Sequence, residues 1–535
     1  MSIQTLSSFV QDAWVQGQGA LAPLFNPATE EELARTGTGG VDFGAALEHA
    51  RRSGQALREL TFAERGAALR ALSKALHAHR DELIGLAIAN GGNTRSDAKF
   101  DIDGAIATLS HYADLGAQLG SLRVLRDGEA VQLGRTARYA GMHIWSPREG
   151  VAVHINAFNF PAWGMAEKMA TALLAGMPVI SKPATSSALV AFRAAELCVE
   201  AKALPPGAFS FLCGSAGDLL DRLHPNDVVA FTGGASTAQK LRAQLAPRGV
   251  RLNIEADSLN SALLGPDVEV GSASWDIFIG DVARDISQKA GQKCTAIRRI
   301  FTPAERLPAV QEALIERLSA VHVGDPSRAD VTMGPLATRE QQRDIKAGLA
   351  RLLAEATSVF GGDGTAKPLA ADPSKGFFVA PTLLSCADPH GATALHRDEV
   401  FGPAATLCAL RPGSDSEQAR EAVQLIKRGG GSLVCSVFSD DRAFLSEAVL
   451  GLAPAHGRVY LGSEKVAGQT FGPGTVLPQL VHGGPGHAGG GEELGGLRGL
   501  GFYSQRTAIQ GDRALLDAIA PALAQPSPAE TAAKS

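Results

Sequence analysis

The chain has 535 residues, 45% of them hydrophobic and 20% charged, and carries a net charge of −5; it suits two or three globular domains and excludes a single small core. The mild, evenly mixed acidity leaves no basic footprint for nucleic acid or an anionic membrane, so neither is expected as a partner. No apolar run nears the roughly 18 residues of a membrane span, and "MSIQTLSSFVQDAW" has no basic stretch ahead of an apolar one, so a cytoplasmic protein is expected.

Residues 44–119 place apolar side chains at three- and four-residue intervals with charges between them, a helical pattern. Between 122 and 148 turn signals separate short strand-like runs, as in a hairpin arm. From 150 to 255 the apolar runs "GVAVHINAF", "MPVISKPA", "AFSFLCG", "VVAFTGG" and "VRLNIEA" alternate with helical stretches, among them "WGMAEKMATALLAG" and "AGDLLDRLH". Such alternation implies βαβ units in a parallel, doubly wound sheet, whose ligands lie at the carboxyl ends of the strands. A second α/β stretch runs from about 256 to 470. From 471 the chain is Gly-rich, then ends in a helix and a Pro/Ala/Ser tail. A G-x-G-x-x-G at Gly484, Gly486 and Gly489 follows no apolar strand and opens no amphipathic helix, and reads as a turning loop.

Six cysteines, Cys198, Cys213, Cys294, Cys386, Cys408 and Cys435, form no C-x-x-C pair and no metal-ligand cluster with histidine. A reducing compartment without disulfides, and no metal, is the expectation. Cys294 in "GQKCTA" differs from the others. Gly291 allows close backbone approach and Gln292, Lys293 and Thr295 make its setting polar, whereas Cys408 and Cys435 sit in strand-like runs. A cysteine becomes a nucleophile when its pKa is lowered from about 8.5 or a base takes its proton; otherwise it fills a core. Four other stretches offer it partners. Asn159 in "NAFNFPAW" is either an amide for an oxyanion or a cap for the helix after Pro161. Glu255, ending "RLNIE", is either a general base for water or a capping or surface acid. Lys182 in "ISKPATSS" stands beside a helix N-terminus, suited to phosphate or ribose, or is a solvated surface lysine. "FTGGASTAQKL" repeats the strand, glycine, hydroxyl and helix order of a pyrophosphate cradle. No histidine motif pairs with Cys294, which argues against a cysteine-dependent thioesterase or hydrolase.

In that order, "FNFP", "SKPA", "FTGG", Glu255, "GQKC" and "EVFGP" resemble the aldehyde dehydrogenase superfamily over nearly the whole chain. The resemblance implies that Cys294 is the nucleophile, Asn159 the oxyanion amide and Glu255 the base. It places Lys182 and Glu399 on cofactor hydroxyls and Phe401 near the nicotinamide, with Ile155, Phe158, Thr185, Ser186, Gly214, Thr232, Gly233 and Gly234 completing the cofactor site. The implied α/β fold has a Rossmann-like cofactor domain (1–121 and 149–255), a catalytic domain (256–470), a β oligomerisation arm with a C-terminal segment (122–148 and 471–515) and a tail (516–535). A homodimer is expected, the arm pairing with a strand near "FYSQRTAIQ".

Four departures carry information. Ala157 and Phe158 precede Asn159 where the family has Pro-Trp; Ala256, Asp257 and Ser258 follow Glu255 in place of Leu-Gly-Gly; Ala238 replaces a glycine. Thr185 stands where many NAD-preferring members have glutamate. A carboxylate there repels a 2′-phosphate by roughly 1 kcal/mol or more, so with Thr185, Ser186, Ser187 and Lys182 the expected cofactor is NADP, with NAD possible if the threonine only caps its helix. The tail "VHGGPGHAGGGEELGGLRGLGFYSQRTAIQG" resembles the ring-cleavage branch, which oxidises CoA-linked semialdehydes. The chain is too short for the hydratase fusion of one branch, so the stand-alone type is expected, acting on a CoA-linked semialdehyde and releasing the acid because Glu255 is present. His482 is expected at the substrate mouth.

Overall fold

The computed structural model describes residues 3–519 and the two-residue strand Leu523–Ala524. Five parallel strands form the heart of a nine-stranded sheet, in the order Arg251–Glu255, Val228–Thr232, Ala152–Ile155, Val179–Lys182 and Phe209–Phe211. Their residues are almost all buried because helices cover both faces. Ala152, Val179 and Val228 face the helices Trp163–Ala175 and Ala188–Glu200; Val153, Ile180 and Val229 face Phe43–Glu59 and Ala235–Leu245. The period of two puts the carboxyl ends in one line: Ile155 pairs with Lys182 and Phe231, and Thr232 with Glu255.

The N-terminal strands Gln4–Val10, Ala13–Gln16, Ala22–Phe25 and Glu32–Thr36 extend this sheet beyond Phe209–Phe211. The stretch "AGDLLDRLH", expected as a helix, makes only the short 3₁₀ turn Leu219–Arg222. A second, seven-stranded sheet runs Thr357–Phe360, Thr382–Cys386, Ala404–Leu410, Arg299–Pro303, Ser261–Leu264, Ser432–Phe438 and His456–Gly462, parallel except for its first strand. The hairpin Val124–Gln132 and Tyr139–Pro147 takes Ser504–Asp512 as a third antiparallel strand, paired from Ser504 with Pro147 to Asp512 with Tyr139. The expected start of the tail at 516 falls inside the helix Arg513–Ile519; residues 520–522 and 525–535 lie outside the described ones.

Candidate active site

Cys294 lies in the loop between the turn Gln288–Gly291 and the strand Arg299–Pro303. Lys289, Ala290 and Gly291 have φ of 53°, 52° and 68°, three successive residues in the left-handed region. This strained turn is held by what surrounds it. A Cβ on Gly291 would collide with the Gly402 carbonyl, and the Lys289 ammonium lies 4.5 Å from the Phe160 ring centre. The Asn260 amide donates to the carbonyls of Cys294 (2.7 Å) and Ala296 (3.0 Å), and the Thr295 hydroxyl to that of Gly474 (2.9 Å). Arg298 reaches the carbonyls of Lys293 (3.1 Å) and Gly402 (2.9 Å). The backbone on both sides of Cys294 is therefore held in place.

Asn159 Nδ2 donates to the Gln292 carbonyl at 3.0 Å, which brings the end of one sheet strand against the cysteine loop. The capping alternative goes to another residue: Asp101 accepts from the amides of Ala162 (3.3 Å) and Trp163 (2.8 Å) at the helix start. Glu255 is 3% exposed and caps nothing. Its Oε2 lies 3.1 Å from His482 Nε2, and that nitrogen lies 3.8 Å from Cys294 Sγ. Ligand atoms of the three residues all fall within 4.8 Å of one another. The expectation that no histidine pairs with Cys294 is thus corrected. His482 is buried within the cluster, brought there by the short strand Val481–Gly483, and does not sit at the rim.

Behind Glu255 lies a buried charge cluster. Lys168 Nζ, on the helix Trp163–Ala175, is 3.3 Å from Glu167 and 3.1 Å from Glu493. Burial raises the Glu255 carboxyl, but His482 first and then Lys168 outweigh it and hold the group below the usual carboxylate range. Burial, and next the neighbouring Glu255, push the Cys294 thiol up. Desolvation disfavours the His482 cation, yet Glu255 wins and its pKa is raised.

Two cavities meet at the thiol. One is lined by Phe100, Phe160, Trp163, Lys168, Val476 and His482. The other, of about 450 Å³, falls in the range of ligand sites. Both reach Ala157, Asn159, Thr232, Glu255 and Cys294. A bound molecule on each side would touch at Sγ, the arrangement that transfer between two reactants requires.

The model of the aldehyde dehydrogenase family matches residues 14–508. The chain belongs to the aldehyde dehydrogenase family. A 3,4-dehydroadipyl-CoA semialdehyde dehydrogenase from Aromatoleum evansii is 46% identical over 483 residues, 90% of this chain and 93% of that one. Protein MaoC of Klebsiella aerogenes is 43% identical over 187 residues, 35% of this chain and 52% of its own. Among solved structures, a betaine aldehyde dehydrogenase from Staphylococcus aureus in complex with NAD+ has a TM-score of 0.82 over 95% of this chain and 98% of its own, at 24% identity. An aldehyde dehydrogenase from Bacillus cereus in complex with NAD+ gives 0.82 over 95% and 97%, at 23%. The aldehyde dehydrogenase fold and the likeness to the ring-cleavage branch both hold.

In this aldehyde dehydrogenase the larger cavity is walled by Ile155, Phe158, Lys182, Thr232, Gly233, Gly234, Glu399 and Phe401. Phe158 and Phe401 meet edge to face at 6.0 Å. Glu399 accepts from the Ser258 amide at 2.9 Å and pairs with Arg298 at 3.3 Å, yet burial pushes it up to about 7. Thr185, Ser186 and Gly214 do not line the cavity; Ala184 does. The Ser186 carbonyl accepts from Asn90 at 3.0 Å, and Gly214 packs on Gly37. The departures after Glu255 have uses: Ala256 donates to the Ala488 carbonyl, and Asp257 caps the helix Ala235–Leu245 through the Ala235 amide at 3.0 Å. Ala238 turns its methyl into the core. Lys168, Glu167, Glu493 and Asp101 were absent from the sequence reading.

Proposed function

We propose that this aldehyde dehydrogenase oxidises a CoA-linked aliphatic semialdehyde, of the 3,4-dehydroadipyl-CoA type, to the acid with NADP. The observation that carries the reaction is the meeting of two cavities at Cys294, Asn159 and Glu255. The relative from Aromatoleum evansii supports the substrate. Lys182, at a strand end on the wall of the larger cavity, supports a phosphorylated ribose; Thr185 lies outside that wall and adds no support. The cleft fits a dinucleotide: Gly233 and Gly234 precede a helix N-terminus, and Glu399 presents a carboxylate for ribose hydroxyls. When bound, the nicotinamide supplies the hydride acceptor.

The chain's own residues do the rest. Cys294 attacks the aldehyde carbon, and the oxyanion takes a hydrogen bond from the Asn159 amide and the Cys294 backbone N–H. After the hydride has left, a thioester remains on Sγ. Glu255 takes a proton from water as it attacks that thioester, and the acid departs. CoA is then a handle on the substrate and not the acyl acceptor. The arm sheet, with Val131, Leu133 and Tyr139 exposed, is the proposed contact in a homodimer, and a cytoplasmic setting fits the six free cysteines.

The relatives solved with NAD+ favour a second reading, a general aldehyde dehydrogenase using NAD on simple aldehydes. Reduced cofactor formed from a CoA-linked semialdehyde and from a short free aldehyde, each with NADP and with NAD, separates the two. Preference for the CoA substrate with NADP supports the proposal; equal turnover of the free aldehyde with NAD overturns it.

A further inference from the structure

We propose that Cys294, His482 and Glu255 form a zinc site whose occupation reversibly blocks the nucleophile. Their donor atoms stand at ligand spacing: His482 Nε2 lies 3.8 Å from Cys294 Sγ and 3.1 Å from Glu255 Oε2, and ligand atoms of all three residues fall within 4.8 Å of one another. Zinc bonds of about 2.3 Å to sulfur, about 2.05 Å to nitrogen and about 2.1 Å to oxygen set tetrahedral donors about 3.6 Å (S to N) and about 3.4 Å (N to O) apart. Small side-chain shifts therefore close the three on an ion. A second, independent observation points to a ligand. Glu255 Oε1 and Thr232 Oγ1 are buried without a hydrogen-bond partner among the described residues, and both residues line both cavities. A desolvated carboxylate oxygen without a partner is costly. Oε1 can join Oε2 on the ion or accept from a water in the fourth position, for which the Thr232 hydroxyl is a further partner.

The charge around the site suits a dication. Glu167, Glu255 and Glu493 bring carboxylate oxygens within 4.8 Å of one another. Against them stand Lys168, bonded to Glu167 and Glu493, and Arg458, committed to the Pro473 and Thr475 carbonyls. Burial, and next Glu255, push the Cys294 thiol up; the same surroundings that disfavour a bare anion on sulfur favour it once a dication is bonded there. Glu255 is held in its charged form by His482 and Lys168 and needs no proton removed. One thiolate, one imidazole and one carboxylate in a compact, four-coordinate arrangement select zinc over magnesium and calcium, which demand shells of oxygen ligands.

Binding exchanges protons for the ion. The S–H bond breaks and its electron pair forms the bond to zinc. Nε2 gives up any proton it carries and binds through its lone pair, while Nδ1 keeps the other ring hydrogen; the released protons pass to water. With zinc bound, Sγ is no longer free to attack an aldehyde, nor Glu255 to take a proton from water. The reaction proposed above draws on no metal, so the ion is a brake and not a cofactor, and a chelator lifts it. That consequence rests on the reading of Cys294 as nucleophile; binding of the ion does not.

The test uses the full-length enzyme without cofactor or aldehyde, with Zn2+ and Co2+ as probes. Competition against a chromophoric chelator should give one tightly held zinc per chain. Co2+ in its place should show a thiolate-to-cobalt charge-transfer band and the intense visible bands of a four-coordinate ion. Cys294→Ser, His482→Gln and Glu255→Gln, each shown folded by its melting curve, should weaken zinc by at least about 100-fold, since even the outer partners of a metal site are worth roughly 10–100-fold. One equivalent of Zn2+ should protect wild-type Cys294 from iodoacetamide, read by mass spectrometry of its peptide, until EDTA is added; His482→Gln should lose that protection. Absence of stoichiometric zinc, a wild-type cobalt spectrum without the sulfur band, alkylation indifferent to Zn2+, or wild-type affinity in folded Cys294→Ser or His482→Gln overturns the proposal. Aldehyde oxidation plays no part in these readouts, so their failure and a failure of the proposed substrate or cofactor are told apart.

Discussion

Truncating Asn159 isolates the oxyanion contact from the rest of the machinery. Its Nδ2 carries two hydrogens; one is used on the Gln292 carbonyl at 3.0 Å, and the second is free for an oxygen in the space shared by the two cavities. Asn159 is 9% exposed, so that donor acts with little competition from water. Removing one preorganised donor of this kind costs about 2.7–4 kcal/mol in the transition state, or 10²–10³ in kcat. Asn159→Ala also leaves the Gln292 carbonyl without its bond, a penalty of about 1–3 kcal/mol that falls on stability. Asn159→Asp should be worse for catalysis, because a carboxylate oxygen would oppose both the Gln292 carbonyl and the developing oxyanion. The assay is steady-state kcat for reduced-cofactor formation, beside cofactor affinity by fluorescence titration. The expected result for Asn159→Ala is a loss of 10²–10³ in kcat with affinity nearly unchanged. A folded Asn159→Ala variant that kept kcat within about five-fold of wild type would refute the oxyanion role.

Glu255→Gln should form the thioester but not hydrolyse it, so rapid mixing should show a burst of one reduced cofactor per site followed by a stall; a linear trace at wild-type rate contradicts the base assignment. Lys168→Met should destabilise the fold by about 3–5 kcal/mol in denaturant titrations by leaving Glu167 and Glu493 unpaired in the interior, and Glu167→Gln with Glu493→Gln in the same chain should recover much of it. Gly291→Ala forces a methyl toward the Gly402 carbonyl and should abolish Cys294 alkylation at neutral pH while cofactor still binds. Glu399, with a folded pKa raised from 4.5 to about 7, binds its proton more tightly in the folded state. Its contribution to stability is full below about 4.5 and is lost as pH rises through about 7. Melting of Glu399→Gln should lack that part of the pH slope.

The strand ends that build the site were legible because buried parallel strands leave continuous apolar runs with abrupt stops, at Pro183 after Lys182 and at Gly233 after Thr232. Motif order then told which stops matter. Which residues of a loop reach the cavity was not legible: Ser186 and Gly214 lie outside its wall, the Ser186 carbonyl accepting from Asn90 and the Gly214 backbone packing on Gly37. The N-terminal strands were missed because their pairing is long-range, Gln4 with Ala34 and Phe9 with Phe211, and "QTLSSFV" has no clean alternation. His482 lies 188 residues from Cys294 in a Gly-rich loop, so nothing local pointed to their contact. The buried cluster did leave a trace: Glu167 and Lys168 are two charges inside the otherwise apolar "WGMAEKMATALLAG", and charges in a buried helix require partners.

In the proposed reaction Cys294, between the two cavities, forms a thioester with a CoA-linked semialdehyde as NADP is reduced. Mass spectrometry of Glu255→Gln after mixing with that semialdehyde and NADP tests it most directly. The expected result is an acyl adduct on the Cys294 peptide, formed with one equivalent of NADPH and absent from Cys294→Ala. Reduced cofactor without an adduct on Cys294, or an adduct on another residue, would contradict it.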